Sequence, residues 1–306
     1  MLRRTILAAA RSGTTRRLIT RAPVSRSVVR RFVAGETVDD AVRVSRQLVD
    51  AGLSVSLDHL GEDTTEDAQA KSAASAYLAA LDRLGAAGLT EHTEVSVKLS
   101  AVGLLLDPAM AREHARTICE AAVKAGTTTT IDMEDHTTTD ATLDVVRHLR
   151  EEFPSLGVVL QAYLRRTEAD CRELAHAGSR VRLCKGAYRE PESVAFQDSG
   201  DVDKSYVRCL NVLMGGPGYP MIATHDPRLI AIADDRARWY DRARGTYEYQ
   251  MLYGVRPDEQ IRLAAEGETV RIYVPFGDES YGYLMRRLAE RPANVAFFLR
   301  SLVSTK

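Results

Sequence analysis

Residues 94–100 read EVSVKLS, an alternation in which Val95, Val97 and Leu99 share one face and Lys98 falls on the other, near the end of the segment. This is the period of a strand with a covered apolar side and a polar side turned elsewhere. Seven segments of the same kind flank it: LSVSLDHL (53–60), TTTIDMED (128–135), GVVLQAY (157–163), VRLCKGAY (181–188), MIATHD (221–226), TYEYQML (246–252) and VRIYVPFG (270–277). Between successive segments lie stretches of helical periodicity with room for one helix and two short loops, the pattern of repeated βα units with parallel strands. Eight such units predict an α/β fold closed into a (βα)₈ TIM-like barrel. An open doubly wound sheet is the alternative, but it usually carries a glycine-rich first turn, and the chain has no GxGxxG.

The length of 306 residues and the 45% hydrophobic content suit one such core, two smaller domains being the other division they permit. Helix punctuation fits the units: Asp107-Pro108 starts one helix and Gly126 ends it, Thr167 precedes another and Gly178 closes it. Residues 1–50 read as extra N-terminal helices, with Gly35, Thr37 and Gly52 as boundaries, and residues 51–306 as the barrel. The acidic stretch from Glu190 to Asp203, poor in periodicity, predicts a mobile loop over the strand ends.

With 41 basic and 42 acidic residues the chain has no global field to attract nucleic acid or an anionic membrane. The four cysteines, Cys119, Cys171, Cys184 and Cys209, lack metal-ligand spacing and read as reduced thiols of a cytoplasmic protein. Residues 1–35 differ, holding nine arginines and no acid. That start fits a transit peptide, a helix lying peripherally on the inner face of a membrane, or the solvated face of an ordinary helix, the last being the commonest meaning of a charge run. No apolar run reaches the roughly 18 residues that a membrane span needs.

In a barrel strand one parity faces the helices and the other the interior, and chemistry sits at the carboxyl ends. Asp132 opposes Ile131 and Met133, Gln161 opposes Val158, Leu160 and Ala162, Arg182 opposes Val181 and Leu183, and Arg271 and Tyr273 oppose Val270, Ile272 and Val274. Thr224 and His225 close the sixth strand. Each of these has a plain structural reading: Lys98 and Asp132 as a buried ion pair, Gln161 and His225 as satisfied interior side chains, the tyrosines as packing. Their convergence at one mouth favours a single site over six coincidences.

Taken in order, SLDHLGE, SVKLS, IDMED, QAYLRR, RLCKGAY, ATHD, YEYQML, YVPFG and YLMRRLAERPAN, from Leu53 to Leu299, resemble the proline dehydrogenase family in its monofunctional, bacterial form. Each string alone is weakly specific, and the ordered set is highly specific. The resemblance implies an FAD-dependent barrel oxidising L-proline to Δ1-pyrroline-5-carboxylate, with a quinone acceptor and a final helix across the mouth. By motif position it puts Arg182 near the reacting edge of the flavin and Met133, Gln161, Lys185, Gly186, Ala187, Thr224 and His225 along the cofactor. It places the last helix, with Tyr283, Arg286 and Arg287, across the mouth toward proline and Glu62 opposite Arg286 as an ion-pair gate. Lys98 and Tyr273 are expected beside the substrate from their strand positions, with Asp132 paired to Lys98 as the catalytic carboxylate, a role the resemblance does not decide. Tyr283, Arg286, Arg287 and Glu290 share one helical face by spacing. Cys184, where relatives carry an aliphatic residue, and Arg189, where some carry an aromatic, depart from the pattern. Competing readings are a Schiff-base aldolase using Lys98 or Lys185, a folate-type flavin reductase, and a non-catalytic binder acting through the basic amino terminus.

Overall fold

The computed structural model describes residues 31–61 and 64–279. Eight parallel strands close in chain order: β1 Ser54–His59, β2 Thr93–Lys98, β3 Thr129–Asp132, β4 Gly157–Gln161, β5 Arg180–Cys184, β6 Tyr219–Ala223, β7 Glu248–Leu252 and β8 Val270–Phe276. β1 pairs with both β2 and β8, which closes the barrel. Helix α1, Val38–Asp50, precedes β1. The helices α2 Asp67–Ala86, α3 Pro108–Ala125, α4 Thr139–Glu152, α5 Thr167–Leu174, α6 Ser199–Gly215, α7 Pro227–Trp239 and α8 Pro257–Ala265 follow β1 to β7 in turn. The strand parity read from sequence holds: Val95, Val97, Ile131, Val158 and Ile272 are wholly buried in the core, as are Val55 and Leu57 of β1.

Local chemistry explains most of the boundaries. Asp107 caps α3 by accepting from the Ala109 N–H at 2.8 Å, Pro108 occupies the first turn, and Gly126 ends the helix at φ 81°. Thr37 and Asp40 cap α1 reciprocally. Two expected boundaries move. Thr167 is the first residue of α5 rather than the one before it, and its hydroxyl donates back to the Gln161 carbonyl at 2.6 Å. That helix stops at Leu174, so Gly178 shapes the turn into β5 instead of closing α5.

The expectation of a free loop from Glu190 to Asp203 is also corrected. Its second part is the start of α6, with Asp198 as the N-cap accepting from Gly200 N–H at 2.8 Å. Its first part is stitched to the segment after β4, Arg165 N–H donating to Val194 O at 2.9 Å and Phe196 N–H to Tyr163 O at 2.8 Å. The acidic character of this stretch serves as a helix cap and, at Glu190, as a buried acceptor.

The segment ahead of β1 is built into the barrel wall. Ala34 N–H donates to Pro275 O and Gly277 N–H to Gly35 O, each at 2.9 Å, and α1 then packs against β8, β1 and α2 through Ala41 and Val44. A helix following β8 would take that groove in a strict (βα)₈ order. The expected helix over the mouth, with Tyr283, Arg286 and Arg287, lies outside the described residues, as do Glu62 and residues 1–30.

Branched aliphatic side chains commonly fill barrel interiors. Here charges do. Arg180 meets Glu94 at 2.7 Å, Arg182 meets Glu94 at 3.3 Å and Asp132 at 2.7 Å, and Arg271 meets Glu248 at 2.8 Å. Burial opposes ionisation of Glu94, but Arg180, Arg271 and Arg182 outweigh it and bring its pKa down to about 2. A carboxyl depressed in the folded state stabilises the fold above its unfolded value, near 4.5, and that contribution is lost as pH falls toward 2. Glu94→Ala, which strands buried guanidiniums, should therefore cost about 3 to 5 kcal/mol in urea unfolding at neutral pH. In the milder Glu94→Gln variant the loss of stability between pH 4.5 and 2 should be shallower than in the wild type, as unfolding across a pH series would read.

Candidate active site

The carboxyl ends of the strands surround a cavity of about 520 Å³. Its charged lining consists of three cations, Lys98, Arg182 and Lys185, and three carboxylates, Asp58, Asp132 and Asp226. Lys98 and Asp132 end β2 and β3, and Asp58 stands one residue before the end of β1, so the strand pleat turns all three toward the cavity.

Arg182, from β5, is 5% exposed, and each of its five N–H groups has an acceptor. Nη1 donates to Ser96 Oγ at 2.9 Å and Asp132 Oδ1 at 2.7 Å, and Nη2 to Ser56 Oγ at 3.2 Å and Glu94 Oε1 at 3.3 Å. Nε donates to Gln250 Oε1. The guanidinium is thus a fixed positive charge beneath the cavity, and its carbon stands 5.4 Å from the centre of the Tyr273 ring.

Lys98 and Asp132 are register partners on β2 and β3, yet the lysine ammonium lies 3.7 Å from Asp132 and 2.6 Å from Asp58. Its main carboxylate is therefore Asp58, which the sequence reading did not single out. The remaining oxygen of Asp132 accepts from Tyr273 Oη at 2.7 Å, and that hydroxyl is also 3.2 Å from Lys98 Nζ. Burial pushes the Asp58 pKa up, Lys98 pulls it back, and the charge of Asp132 pushes it further up, so the shift is upward. Burial likewise holds the Tyr273 hydroxyl well above the ordinary phenol value, with Asp132 and Asp58 adding to it, so it remains a proton donor.

Beyond this cluster the cavity runs along the segments after β3, β5 and β6. Gln161 spans two of its walls, its amide donating to Met133 O at 2.9 Å and Glu134 O at 3.0 Å, while its own Oε1 is buried without a partner. A buried acceptor left open in a cavity lining is a place for a ligand N–H. Gly186 has φ 109°, and a Cβ there would run into the Tyr163 ring, so only glycine allows the chain to turn this close. Ala187 and Thr224 line the same wall. Lys185 is held by Asp203 at 2.5 Å and Asp226 at 3.1 Å. His225 Nε2 accepts from the Leu252 N–H at 2.8 Å, which leaves the proton of the neutral ring on Nδ1.

The structure therefore gathers Lys98, Asp132, Arg182, Tyr273, Met133, Gln161, Lys185, Gly186, Ala187, Thr224 and His225 on one cavity, as the sequence predicts. It did not single out Asp226, after β6, nor, among the polar residues on the strands, Asp58 and Gln250. Each of these last two shares the inward parity of a strand already read, Asp58 with Ser56 and Gln250 with Glu248. Among the described residues no group of three or more His, Cys, Asp or Glu side chains is placed to hold a metal ion, and no helix is long and apolar enough to cross a membrane. The four cysteines are unbridged.

A closed parallel barrel with charged groups at the carboxyl ends of its strands defines a (βα)₈-barrel enzyme acting on a small polar molecule. The family profile described as Proline dehydrogenase matches residues 41–300. Proline dehydrogenase 1 of Bacillus subtilis (strain 168) is 38% identical over 274 residues, 90% of each chain. Proline dehydrogenase of Deinococcus radiodurans is 38% identical over 285 residues, again 90% of each. Among solved structures, proline utilization A from Bdellovibrio bacteriovorus, inactivated by N-propargylglycine, superposes with a TM-score of 0.81 at 23% identity. It matches 87% of this chain, which spans only 33% of that longer protein, and the likeness bears on the fold. The chain belongs to the proline dehydrogenase family and is an enzyme of that kind, an oxidoreductase of proline metabolism.

Because Asp58 is the nearer partner of Lys98, Asp58→Ala should lower kcat/KM by roughly ten- to a hundredfold, the worth of a charge-assisted bond of about 1.5 to 3 kcal/mol. Steady-state kinetics would check this, and an unchanged value would mean that Asp132 and Tyr273 suffice to hold the lysine.

Proposed function

We propose that this chain oxidises L-proline to Δ1-pyrroline-5-carboxylate with FAD as its bound cofactor, the electrons leaving to a quinone-type acceptor. The observation that carries the reading is the cavity in which Lys98, Asp132 and Arg182 stand beside the open acceptor of Gln161 and the glycine turn at Gly186. FAD supplies the two-electron acceptor when bound. Gln161, with its free Oε1, suits an N–H of the ring, and Met133 borders the same wall. Lys185, Gly186, Ala187, Thr224 and His225 suit the chain and phosphates, Lys185 by charge and Gly186 by letting backbone approach.

Proline arrives with a carboxylate and must react as a free amine. Lys98 is the described cation at the substrate end, steadied by Asp58, Asp132 and Tyr273, and it orients the carboxylate. Asp132, or a water that it holds, takes the ammonium proton. Arg182 stabilises negative charge as electrons arrive, and it does so as a fixed charge because its N–H groups are committed to the protein. Arg286 and Arg287 complete a carboxylate clamp with Tyr283, and Glu62 pairs with Arg286 to close the mouth, although these four lie outside the described residues. Residues 51–306 form the catalytic barrel and residues 1–50 its helical forepart, whose basic start offers a peripheral contact with a membrane holding the acceptor. The proposed site is cytoplasmic and has no nucleic-acid partner.

The direct test is an absorbance spectrum of the purified full chain before and after anaerobic L-proline. A flavin band that bleaches supports cofactor and substrate together, and a colourless protein that takes up no FAD overturns the reading. Arg182→Met should keep FAD and slow its bleaching by on the order of a hundredfold or more, since loss of a charge stabiliser at a reacting centre costs about 3 to 4 kcal/mol. Arg286→Met and Arg287→Met should each weaken binding of a proline analogue such as tetrahydrofuroate, read from the flavin spectrum, and unchanged affinity in both would remove the clamp.

A further inference from the structure

Glu190 is an acidic residue, 7% exposed and without a part in the chemistry above, yet three donor groups converge on it. Its Oε1 accepts from the backbone N–H of His136 at 2.9 Å and from the Tyr163 hydroxyl at 3.2 Å, and its Oε2 pairs with Nδ1 of the His136 ring. The Gln197 amide donates to its carbonyl at 3.2 Å. These partners come from three different βα segments. His136 stands three residues after Met133 in the segment that follows β3, Tyr163 follows β4, and Glu190 itself lies in the segment that begins with Lys185, Gly186 and Ala187 after β5.

Tyr163 is the link between this carboxylate and the cavity wall. Its ring is the surface that a side chain at position 186 would strike, and its backbone N–H donates to the Lys185 carbonyl at 2.9 Å. The ring therefore lies against the glycine turn as a shelf, while its hydroxyl is tied to Glu190. Burial and the carboxylate of Glu190 push that hydroxyl far above the ordinary phenol value, so it stays a donor. Tyr163, Leu164 and Ala195 form a small buried cluster of their own, apart from the main core, with Tyr188 packed against it. A hydrogen bond from the hydroxyl at the edge of such a small cluster has few packing contacts to back it up.

We propose that Glu190 is a positioning residue for the cofactor. It latches the Met133 wall to the Gly186 wall and sets, through Tyr163, the turn on which the phosphate-bearing part of FAD rests. The inference rests on the FAD reading above. Glu190 does not border the cavity, so it should govern how tightly the cofactor is held and not how fast it is reduced once in place.

The test uses full-length wild type and the variants Glu190→Ala, Glu190→Gln and Tyr163→Phe, each stripped of flavin and titrated with FAD by flavin fluorescence. Reduction by L-proline is then followed at saturating FAD, and melting temperature is recorded without FAD. Glu190→Ala should weaken FAD binding by roughly ten- to a hundredfold, the worth of hydrogen bonds to a charged group. Glu190→Gln, which keeps an acceptor for His136 N–H and for Tyr163, should recover most of it, and Tyr163→Phe should weaken binding severalfold. Reduction rates at saturation should match the wild type throughout. If Glu190→Ala fails to accumulate, Tyr163→Phe, which removes one hydroxyl only, carries the same comparison. Wild-type FAD affinity in the variants, with or without a lower melting temperature, would make the cluster structural only and overturn the inference. A wild-type chain that takes up no FAD would overturn the cofactor reading itself and the latch with it, a result distinguishable from the first.

Discussion

An arginine cannot shed its charge at any pH a protein survives, so placing Arg182 at 5% exposure obliges the fold to supply an acceptor for every N–H. The acceptors come from Ser56 on β1, Glu94 and Ser96 on β2, Asp132 on β3 and Gln250 on β7. Four strands are thereby tied to a fifth through one planar group. A slip of β2 by one residue would turn Glu94 and Ser96 out among the helices and bring Val95 and Val97 in, stranding the guanidinium. The network is weak evidence for net stability, because desolvation of so many charges offsets their attraction. Its effect is on register, and the cluster of Asp58, Lys98, Asp132 and Tyr273 inherits that register.

The same constraint decides the partner of Lys98. Asp132 spends one oxygen on Ser96 and Arg182 and the other chiefly on Tyr273, so the ammonium finds its short contact at Asp58 instead. Strand alternation in the sequence tells which residues face inward, and it did so correctly for Lys98, Asp132, Gln161, Arg182 and Tyr273. It does not tell which of two inward carboxylates a flexible four-carbon side chain will reach. Lys98 and Asp132 are register partners on adjacent strands, which favours that pairing on paper, while the closer contact crosses to β1. The Glu190 to Asp203 stretch failed for a related reason. Its acids suggest solvent until the three-dimensional neighbours are known, and then Asp198 is a helix cap and Glu190 is the acceptor of three donor groups.

The forepart of the chain shows a second limit. The residues from Val38 to Asp50 carry a capped helix that the sequence announces through Gly35, Thr37 and Gly52. Nothing in its periodicity says that it belongs to the wall. Its place follows from the closure of β8 on β1, which creates a groove needing an apolar cover, and from the pairing of residues 34–35 with residues 275–277 that delivers the helix to it. With α1 in the groove, the chain after β8 is not needed to shield that side of the barrel, and a role elsewhere becomes available to it.

The charges of the cavity bear on that role under the proposed chemistry. Lys98, Arg182 and Lys185 are matched by Asp58, Asp132 and Asp226, so the described lining is close to neutral. Both proposed occupants are anionic, proline at its carboxylate and FAD at its diphosphate. Arg228, outside the lining, is paired with Asp203 and Asp226 at 2.8 Å each. Beside Asp58 and Asp132 the described lining offers Lys98 and Arg182, and the N–H groups of Arg182 are already committed to the protein. An ammonium already held by one close carboxylate and near a second binds a third poorly, and a forked guanidinium pair is a group that would suit an added carboxylate. Arg286 and Arg287 are adjacent in the chain after β8, and the near neutrality of the barrel mouth is the physical reason that a substrate carboxylate would need them.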